Sequence, residues 1–301
     1  MKNLFLTFCV FGMLFAATSC SDDNDPSMVD MDPMEQNGDP LEALVLTDVS
    51  YGDNEQQVYD IYLPAGRSSD KTKVIVLVHG GGWIEGDKAD MTPFIGLIQS
   101  NLPNHAIVNM NYVLATTTIP AFPNQFLDVG AVINKITEEK ELLQVDPEFG
   151  LIGTSAGGHI SLMYDYVYDI DDQVKMVADI VGPTNFTDPF YSENPNFNIL
   201  LSLLVDESQY PSDAVLAEVT SPTFQVNTNS SPTIMFYGNA DPLVPLSNGQ
   251  QLAQLLTGAS VSNSFTVYEG GHGDDWSESD RLDLEVQLRS FITNYLPIPI
   301  E

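Results

Sequence analysis

The stretch LIGTSAG at residues 151–157 places Ser155 between Gly153 and Gly157, after an apolar pair and before a run with helical spacing. The two glycines let the chain turn sharply from a strand into a helix without a Cβ clash. In such a turn the serine hydroxyl projects from the helix N-terminus, which is the GxSxG arrangement of a nucleophile. Glycine-rich turns of this length also recur by chance, so the interpretation depends on the rest of the chain.

The pattern around this turn alternates short β-rich runs with helical ones from about Leu44 onward. The first two strands adjoin, and the later ones are separated by helices, which indicates a mostly parallel sheet covered on both faces. We therefore predict an α/β fold with an eight-stranded sheet, and functional residues at the carboxyl ends of its strands. The predicted strands are 47–51, 57–63, 74–78, 106–112, 150–152, 176–181, 233–237 and 264–268; the predicted helices are 92–102, 126–143, 156–168, 247–257 and 280–296.

A second glycine-rich segment, HGGGW at residues 79–83, directly follows the apolar strand 74–78. Glycines at a strand end leave backbone N–H groups free to approach a ligand, as an oxyanion hole requires. No GK[ST] sequence follows, which disfavours a phosphate-binding loop. We expect oxyanion donors at Gly81, Gly82 and Ala156, and the choice among the three glycines of the loop stays open.

A serine nucleophile needs a base and an acid that orients the base. His272 lies in a glycine-rich loop just beyond the last predicted strand, and Asp241 follows the strand 233–237. The order Ser155, Asp241, His272 along the chain is the order found in α/β-hydrolases. We therefore predict these three residues as the catalytic set.

The other three histidines have structural interpretations. We expect His79 to brace the glycine-rich loop, His159 to pack behind the serine turn and His105 to be structural. The chain has no HExxH pair and no His/Cys cluster with ligand spacing, so neither a catalytic metal nor another cofactor is expected.

Six motifs stand in a fixed order along the chain: YDIYLP at 59–64, HGGGW at 79–83 with GDK at 86–88, NY at 111–112, SAGGH at 155–159, DPLVP at 241–245 and GHG at 271–273. Together they resemble the α/β-hydrolase esterases, and most closely the feruloyl/acetyl-esterase-like branch (BD-FAE type), near the hormone-sensitive-lipase-like carboxylesterases. The resemblance covers about residues 46–297 and implies a serine carboxylic-ester hydrolase in which Ser155, Asp241 and His272 form the triad. The chain departs from many relatives at 116–120, where they have a shorter proline-containing link, so the pocket rim there is expected to differ.

The N-terminal residues 1–19 are interpreted as an export signal, because Lys2 precedes an apolar run that is too short to span a bilayer. Small residues directly before Cys20 resemble a bacterial lipobox, in which the cysteine is lipidated; a plain secretory signal cut nearby is the alternative. Residues 20–45 are rich in acids and prolines and predict a disordered tether. The expected location is outside the cytoplasm, lipid-anchored at the outer membrane of a Gram-negative bacterium, periplasmic or surface-exposed.

The 301-residue chain is strongly acidic, with 10 Lys and Arg against 42 Asp and Glu, a net charge of −32. Such a surface repels phosphate backbones and anionic leaflets, so nucleic acid is excluded as a partner and membrane contact is expected only through the lipid anchor. Without Lys2 the mature chain would carry 9 − 42 = −33. The expected partner is a small-molecule or oligosaccharide ester.

The predicted folded domain covers residues 46–301, with a small cap at about 183–231 rich in aromatic residues. The function expected from the resemblance is removal of short acyl or feruloyl groups from carbohydrate through an acyl-enzyme. Two alternatives stay open: a serine peptidase or arylformamidase on the same triad, and a non-catalytic binding protein with the hydrolase fold.

Overall fold

The strands form one twisted layer in the computed structural model, which describes residues 40–299. Five of the seven pairings are parallel; β1 with β2 and β2 with β4 are antiparallel. The strands are β1 (Leu44–Ser50), β2 (Val58–Leu63), β3 (Val74–Val78), β4 (Ala106–Met110), β5 (Phe149–Thr154), β6 (Val174–Ile180), β7 (Thr233–Gly238) and β8 (Asn263–Tyr268), and the sheet order is β1-β2-β4-β3-β5-β6-β7-β8.

Helices cover both faces of the sheet, and four of them lie in the segment between β6 and β7. A 3-10 turn at Lys88–Met91, a π-helical turn at Tyr164–Tyr168 and a 3-10 turn at Glu207–Gln209 complete the regular structure of the described residues. The helices are α1 (Thr92–Asn101), α2 (Asn124–Glu138), α3 (Lys140–Leu143), α4 (Ala156–Met163), α5 (Pro189–Ser192), α6 (Pro195–Leu204), α7 (Leu216–Val219), α8 (Pro222–Gln225), α9 (Ser247–Gly258) and α10 (Glu278–Tyr295).

The core has two layers because side chains alternate across each strand. On β3, Val74, Val76 and Val78 face the layer filled by α2, α4 and α9. Ile75 and Leu77 face the opposite layer, which α1 and α10 supply. β3, β4 and β7 are buried along their whole length, so the middle of the sheet is a rigid base for the loops at its carboxyl edge.

The predicted α/β-hydrolase fold is confirmed, including all eight strands and the mostly parallel sheet. Three local differences appear: β1 begins at Leu44, inside the predicted tether 20–45; the predicted helix 126–143 is two helices interrupted at Glu139; and the predicted helix 156–168 passes from α4 into the π-helical turn. The export signal, Cys20 and the tether up to residue 39 lie outside the described residues.

Across residues 40–299, the helices are all too short or too polar to cross a bilayer.

Candidate active site

The turn between β5 and α4 holds Ser155 in a backbone conformation that glycine normally adopts, with φ 52° and ψ −119°. Both flanking positions need glycine, because another backbone segment lies too close to leave room for a Cβ. A Cβ at Gly153 would lie 2.2 Å from the carbonyl oxygen of Gly157, and one at Gly157 would lie 2.1 Å from that of Val78. The Ser155 N–H donates to the Ile180 carbonyl oxygen at 2.8 Å, which fixes the turn to the end of β6.

The structure brings Ser155, His272 and Asp241 into one chain of hydrogen bonds. His272 Nε2 lies 2.8 Å from Ser155 Oγ, and His272 Nδ1 lies 2.7 Å from Asp241 Oδ2. An ionised Asp241 can only accept, so Nδ1 carries the proton and Nε2 is left to accept from the serine hydroxyl. The arrangement can therefore take a proton from Ser155.

Hydrogen bonds stabilise the ionised form of the Asp241 carboxylate, although its side chain has no solvent exposure. Its Oδ1 accepts from the N–H groups of Leu243 and Val244 at 2.8 and 3.0 Å. Burial alone would raise the pKa of Asp241, but the hydrogen bonds from His272 and from these two backbone groups outweigh burial and hold the pKa below its ordinary value.

The loops that carry Asp241 and His272 are joined to each other. The Ala240 N–H donates to the Gly270 carbonyl oxygen at 2.9 Å, and a Cβ at Gly238 would lie 2.0 Å from the carbonyl oxygen of Gly271. Further along, Arg281 Nη2 donates to the Asp274 carbonyl oxygen at 2.6 Å. The acid and the base are thus positioned by one connected structure.

The glycine-rich loop after β3 lies beside the serine. A Cβ at Gly80 would lie 3.2 Å from Ser155 Cβ, and one at Gly81 would lie 1.9 Å from the Glu85 carbonyl oxygen. Within the described chain, the N–H groups of Gly81, Gly82 and Ala156 have no protein acceptor. The three expected donors are therefore unpaired, and their role as an oxyanion hole stays a prediction.

Several side chains that the sequence did not single out hold this loop in place. Gln125, fully buried on α2, donates from Nε2 to the carbonyl oxygens of Trp83 and Val113 at 2.8 and 2.9 Å. The Tyr112 hydroxyl contacts the carbonyl oxygens of His79 and Gly80 at 3.1 and 3.2 Å. Gln125 precedes the predicted helix 126–143 by one residue, so no pattern in the sequence indicated its contacts with the loop.

His159 lies behind the turn in an aromatic cage. Its Nδ1 accepts from Trp83 Nε1 at 3.2 Å, and its Nε2 lies 2.8 Å from the Thr220 carbonyl oxygen, so Nε2 carries the proton. Rings of Phe122 and Phe186 pack on it with centroids 5.0 Å away. Burial lowers the pKa of His159 to about 4, although the hydrogen bond to Thr220 opposes it, so this imidazole is neutral and structural.

The remaining two histidines also have structural partners. His79 donates from Nδ1 to the Gly80 carbonyl oxygen at 2.6 Å and stacks on Tyr112 with ring centroids 4.2 Å apart. His105 is buried, and its Nε2 donates to the Leu296 carbonyl oxygen at 2.9 Å.

The segment between β6 and β7 is joined to the loop of the candidate acid. The Tyr191 hydroxyl donates to the Leu243 carbonyl oxygen at 3.1 Å, and Ser247 Oγ donates to Asp188 Oδ2 at 2.6 Å. Phe186 and Tyr191 are buried against each other, whereas Phe190 is 44% exposed. Most of the aromatic residues here therefore contribute packing.

A cleft of about 310 Å³ separates α6 from the loop at 116–120, the place where the sequence departs from its relatives. The loop contributes Thr116, Thr117 and Thr118, and the opposite wall includes Leu203 and Asp206. Main-chain hydrogen bonds of Phe122 with Leu204 and Asp206, both 2.8 Å, join the segment after this loop to the end of α6.

Among residues 40–299, no group of three or more His, Cys, Asp or Glu side chains could hold a metal ion.

The fold and the position of these side chains at the carboxyl edge of the sheet define the class of the protein, which is an α/β-hydrolase. The chain belongs to the BD-FAE family, which it matches over residues 59–256. Ser155 and Asp241 fall inside the matched range, and His272 lies beyond it.

Among curated proteins, the chain is 24% identical to Esterase LipC of Mycobacterium tuberculosis over 247 residues, 77% of this chain and 60% of that protein. It therefore covers less than two thirds of this relative. A truncated form of carbohydrate esterase from gut microbiota has the same fold, with a TM-score of 0.66, 20% identity and coverage of 83% of this chain and 97% of that one. Est2 of the Planctomycetes species Thermogutta terrifontis, solved with butyrate bound, gives a TM-score of 0.67 at 18% identity, covering 86% and 96%.

Proposed function

We propose that this protein is a serine carboxylic-ester hydrolase that removes short acyl or feruloyl groups from carbohydrate. The observation that carries the proposal is the hydrogen-bonded series from Ser155 Oγ through His272 to Asp241, with contacts of 2.8 and 2.7 Å. A hydroxyl, an imidazole and an ionised carboxylate in this order can activate the hydroxyl as a nucleophile.

In the proposed reaction, Ser155 Oγ bonds to the ester carbonyl carbon while its proton passes to His272 Nε2. The C–O bond to the alcohol then breaks, and Nε2 returns the proton to the departing alcohol oxygen. Water attacks the acyl-serine in the same way and releases the carboxylic acid. Asp241 keeps the imidazole in the required tautomer and stabilises its charged form.

The tetrahedral intermediate places negative charge on one oxygen, which needs donors already in position. The unpaired N–H groups of Gly81, Gly82 and Ala156 are the candidates. Because Gln125 and Tyr112 hold the glycine-rich loop through its carbonyl oxygens, its N–H groups need no rearrangement before reaction.

Two considerations support carbohydrate as the alcohol part. The sequence resembles acetyl and feruloyl esterases, and one solved structure of this fold is a carbohydrate esterase. A short acyl group is supported by the resemblance and by the butyrate bound to Est2, a protein of the same fold.

The charge of the chain favours an uncharged polymer. Residues 176–280, which include the cap segment, Asp241 and His272, contain 13 Asp or Glu and no Lys or Arg. In the 3-10 turn that follows the glycine-rich loop, Lys88 is occupied by ion pairs with Asp48 and Asp60. Anionic substrates therefore meet repulsion from carboxylates within a Debye length of about 8 Å at physiological salt.

The test compares kcat/KM for four substrates: acetylated xylooligosaccharide, feruloylated arabinose, acetylated oligogalacturonate and an ester whose acyl chain is about as long as that of a membrane lipid. We expect the two neutral carbohydrate esters to be preferred, and the deficit of the anionic one to shrink as salt is added. A preference for the long acyl chain would contradict the carbohydrate assignment and favour a lipase-like role.

The same panel separates the reactions that one triad can perform. A formyl-aryl amide and a peptide amide are added under the same buffer. Faster turnover of either amide than of every ester would identify an arylformamidase or a peptidase.

We also propose that the protein is exported and anchored through an acylated Cys20, in the outer membrane of a Gram-negative bacterium. The proposal rests on the apolar run after Lys2, the small residues before Cys20 and the seven acids in residues 21–40. An anchored enzyme with a long acidic tether would meet polymers outside the cell.

A further inference from the structure

A carboxyl group without solvent exposure lies directly beneath the serine turn. Asp179 is on β6, opposite Gly153 of β5 in the parallel register, and its exposure is 0%. Its Oδ1 accepts from the Gly182 N–H at 2.9 Å, and a Cβ at Gly158 would lie 2.2 Å from the same oxygen. The carboxyl thus fills a space bounded by two glycines, one of them in the first turn of α4.

The other carboxyl oxygen belongs to a group of contacts that one hydroxyl proton cannot satisfy. The Tyr237 hydroxyl oxygen lies 2.5 Å from Asp179 Oδ2 and 2.5 Å from the Gly182 carbonyl oxygen. A phenol has one proton, and the carbonyl oxygen can only accept. If Tyr237 donates to Gly182, the short contact with Asp179 needs a proton on the carboxyl.

This group also secures a strained part of the chain. Val181 has φ 53°, an outlier for a β-branched residue, and lies between Ile180, which binds the Ser155 N–H, and Gly182, which binds Asp179. Strain of this kind persists only where the surroundings determine the conformation. The contacts of Asp179 and Tyr237 with Gly182 provide that restraint.

We propose that Asp179 is held as a neutral carboxylic acid that donates to the Tyr237 hydroxyl oxygen, and that it is a positioning residue for Ser155. The positioning role rests on the proposed esterase function; the protonation state does not.

The surroundings of Asp179 favour the neutral form. Burial raises the pKa of Asp179 to about 7, against the opposing effect of its hydrogen bonds with Tyr237 and Gly182. The titratable groups that face it are the phenols of Tyr237 on β7 and Tyr166 on the π-helical turn, with the neutral imidazole of His159 on α4 further along. The neighbouring helices α8 and α9 contain no titratable side chain.

The direction of the pH dependence follows. The pKa of Asp179 is higher in the folded chain, about 7, than in the unfolded chain, about 4. Its contribution to stability is therefore complete below about pH 4 and is lost as the pH rises to about 7. Above that range the ionised group repels the electron-rich oxygens around it, which loosens the serine turn.

The test uses Asp179→Asn, because an amide reproduces both contacts: its oxygen accepts from Gly182 and its NH₂ donates to Tyr237. At about pH 6 we expect kcat of this variant within twofold of the wild type, and above neutral pH we expect it to lack the alkaline fall in kcat that the wild type shows. Asp179→Ala removes both contacts, and we expect kcat to fall about 10- to 100-fold with little change in KM, since displaced reacting groups lower the chemical step.

Asp165→Asn is the matched control. Asp165 is another buried carboxyl whose pKa burial raises to about 7, bound to Ser231 near the amino ends of β6 and β7, far along the strands from Ser155. This variant should change the pH dependence of stability and leave the alkaline fall in kcat unchanged. An alkaline fall that Asp179→Asn retains, or equal losses in Asp179→Asn and Asp179→Ala at about pH 6, would overturn the positioning role.

An infrared measurement tests the protonation without relying on activity. Spectra of the unsubstituted protein labelled with ¹³C at the Asp carboxyl carbons should contain the stretch of protonated carboxyls at about pH 6, where a free aspartate is ionised. Absence of such a band would overturn the proposal. Because Asp165 should contribute to the same band, the Asp179 component is identified as the part that Asp179→Asn loses and Asp165→Asn keeps; no such loss in Asp179→Asn would also overturn the proposal. If this component is present and esters are not turned over, the proposed function fails while the neutral Asp179 stands.

Discussion

The backbone of Ser155, at φ 52°, costs about 1 to 3 kcal/mol relative to a relaxed conformation. The surrounding contacts compensate: its N–H is bound by Ile180, its glycine neighbours allow close packing, and its hydroxyl meets His272 at 2.8 Å. A serine held in this way presents its oxygen without a search among rotamers and backbone states, which suits a nucleophile.

At the same scale, Asp241→Asn tests the role of the acid. An amide at this position can donate to Nδ1, which favours the wrong imidazole tautomer, so we expect kcat to fall by about 10³ to 10⁴ while folding is preserved. Asp274→Asn is the control, since Asp274 is exposed and only two residues beyond His272; its kcat should stay near that of the wild type. Retention of activity within tenfold in Asp241→Asn would place the acid elsewhere.

The sequence predicted these three residues because each follows a strand whose carboxyl end lies at the same edge of a parallel sheet. It could not predict Asp179, Gln125 or Tyr191, whose roles depend on contacts between segments far apart in the chain. The sequence does show an acidic residue, Asp179, inside the apolar run of β6, but it does not show which groups that residue contacts. Such partners exist only after the sheet has assembled.

At the scale of elements, the joint between β3 and α4 decides whether the serine turn can form. Gly157→Ala would place a Cβ 2.1 Å from the Val78 carbonyl oxygen. This oxygen belongs to the backbone of β3, which cannot move aside as the end of a flexible side chain could. We expect the free energy of unfolding to fall by about 3 kcal/mol or more. The measurement is the urea midpoint at constant slope.

Gly96→Ala on α1 is the matched substitution, because Gly96 is exposed and a Cβ there meets nothing within 4 Å. It should raise stability by about 0.5 to 1 kcal/mol through helix propensity. Equal effects of the two substitutions would contradict the close packing of the turn against β3.

The cap segment and the loop of Asp241 should respond as one element. Tyr191→Phe removes the hydroxyl that binds the Leu243 carbonyl oxygen and leaves the ring packing intact, so we expect a loss of about 1 kcal/mol in stability. We also expect a lower kcat, because the Leu243 N–H holds Asp241. Tyr295→Phe is the control, because the Tyr295 hydroxyl makes no hydrogen bond within residues 40–299. An unchanged kcat in Tyr191→Phe would show that the cap segment does not help to position Asp241.

The elements themselves were largely predictable, and the exceptions have physical reasons. All eight strands carry continuous or alternating apolar runs. The four-residue helices α5, α7 and α8 are too short for a helical period, since a single turn is unfavourable without tertiary contacts. The break at Glu139 between α2 and α3 likewise has no glycine or proline to mark it.

At the scale of the whole molecule, membrane binding is expected to depend on the proposed lipid on Cys20 and on the negative charge of the segment that follows it. The acidic segment after Cys20 offers no attraction to an anionic surface, so the proposed membrane attachment would depend on lipid chains, at roughly 0.8 kcal/mol per buried CH₂. Cys20→Ser should abolish acylation and move the protein to the aqueous phase in detergent partitioning, or leave an uncleaved precursor.

Cys9→Ser is the control for this experiment, because Cys9 lies within the predicted signal and would be removed with it. Its product should partition as the wild type does. An unchanged membrane fraction in Cys20→Ser would mean that another part of the chain anchors the protein.

The most direct test of the account is covalent labelling by a fluorophosphonate, followed by mass spectrometry of the digested protein. Such a probe phosphonylates a serine only where a base activates its hydroxyl. We predict one adduct, on the peptide that contains Ser155, its loss in Ser155→Ala, and a fall of several orders of magnitude in kcat for that variant with unchanged stability. No adduct on the wild-type protein, an adduct on another residue, or ester hydrolysis within tenfold of wild type in Ser155→Ala would contradict the account.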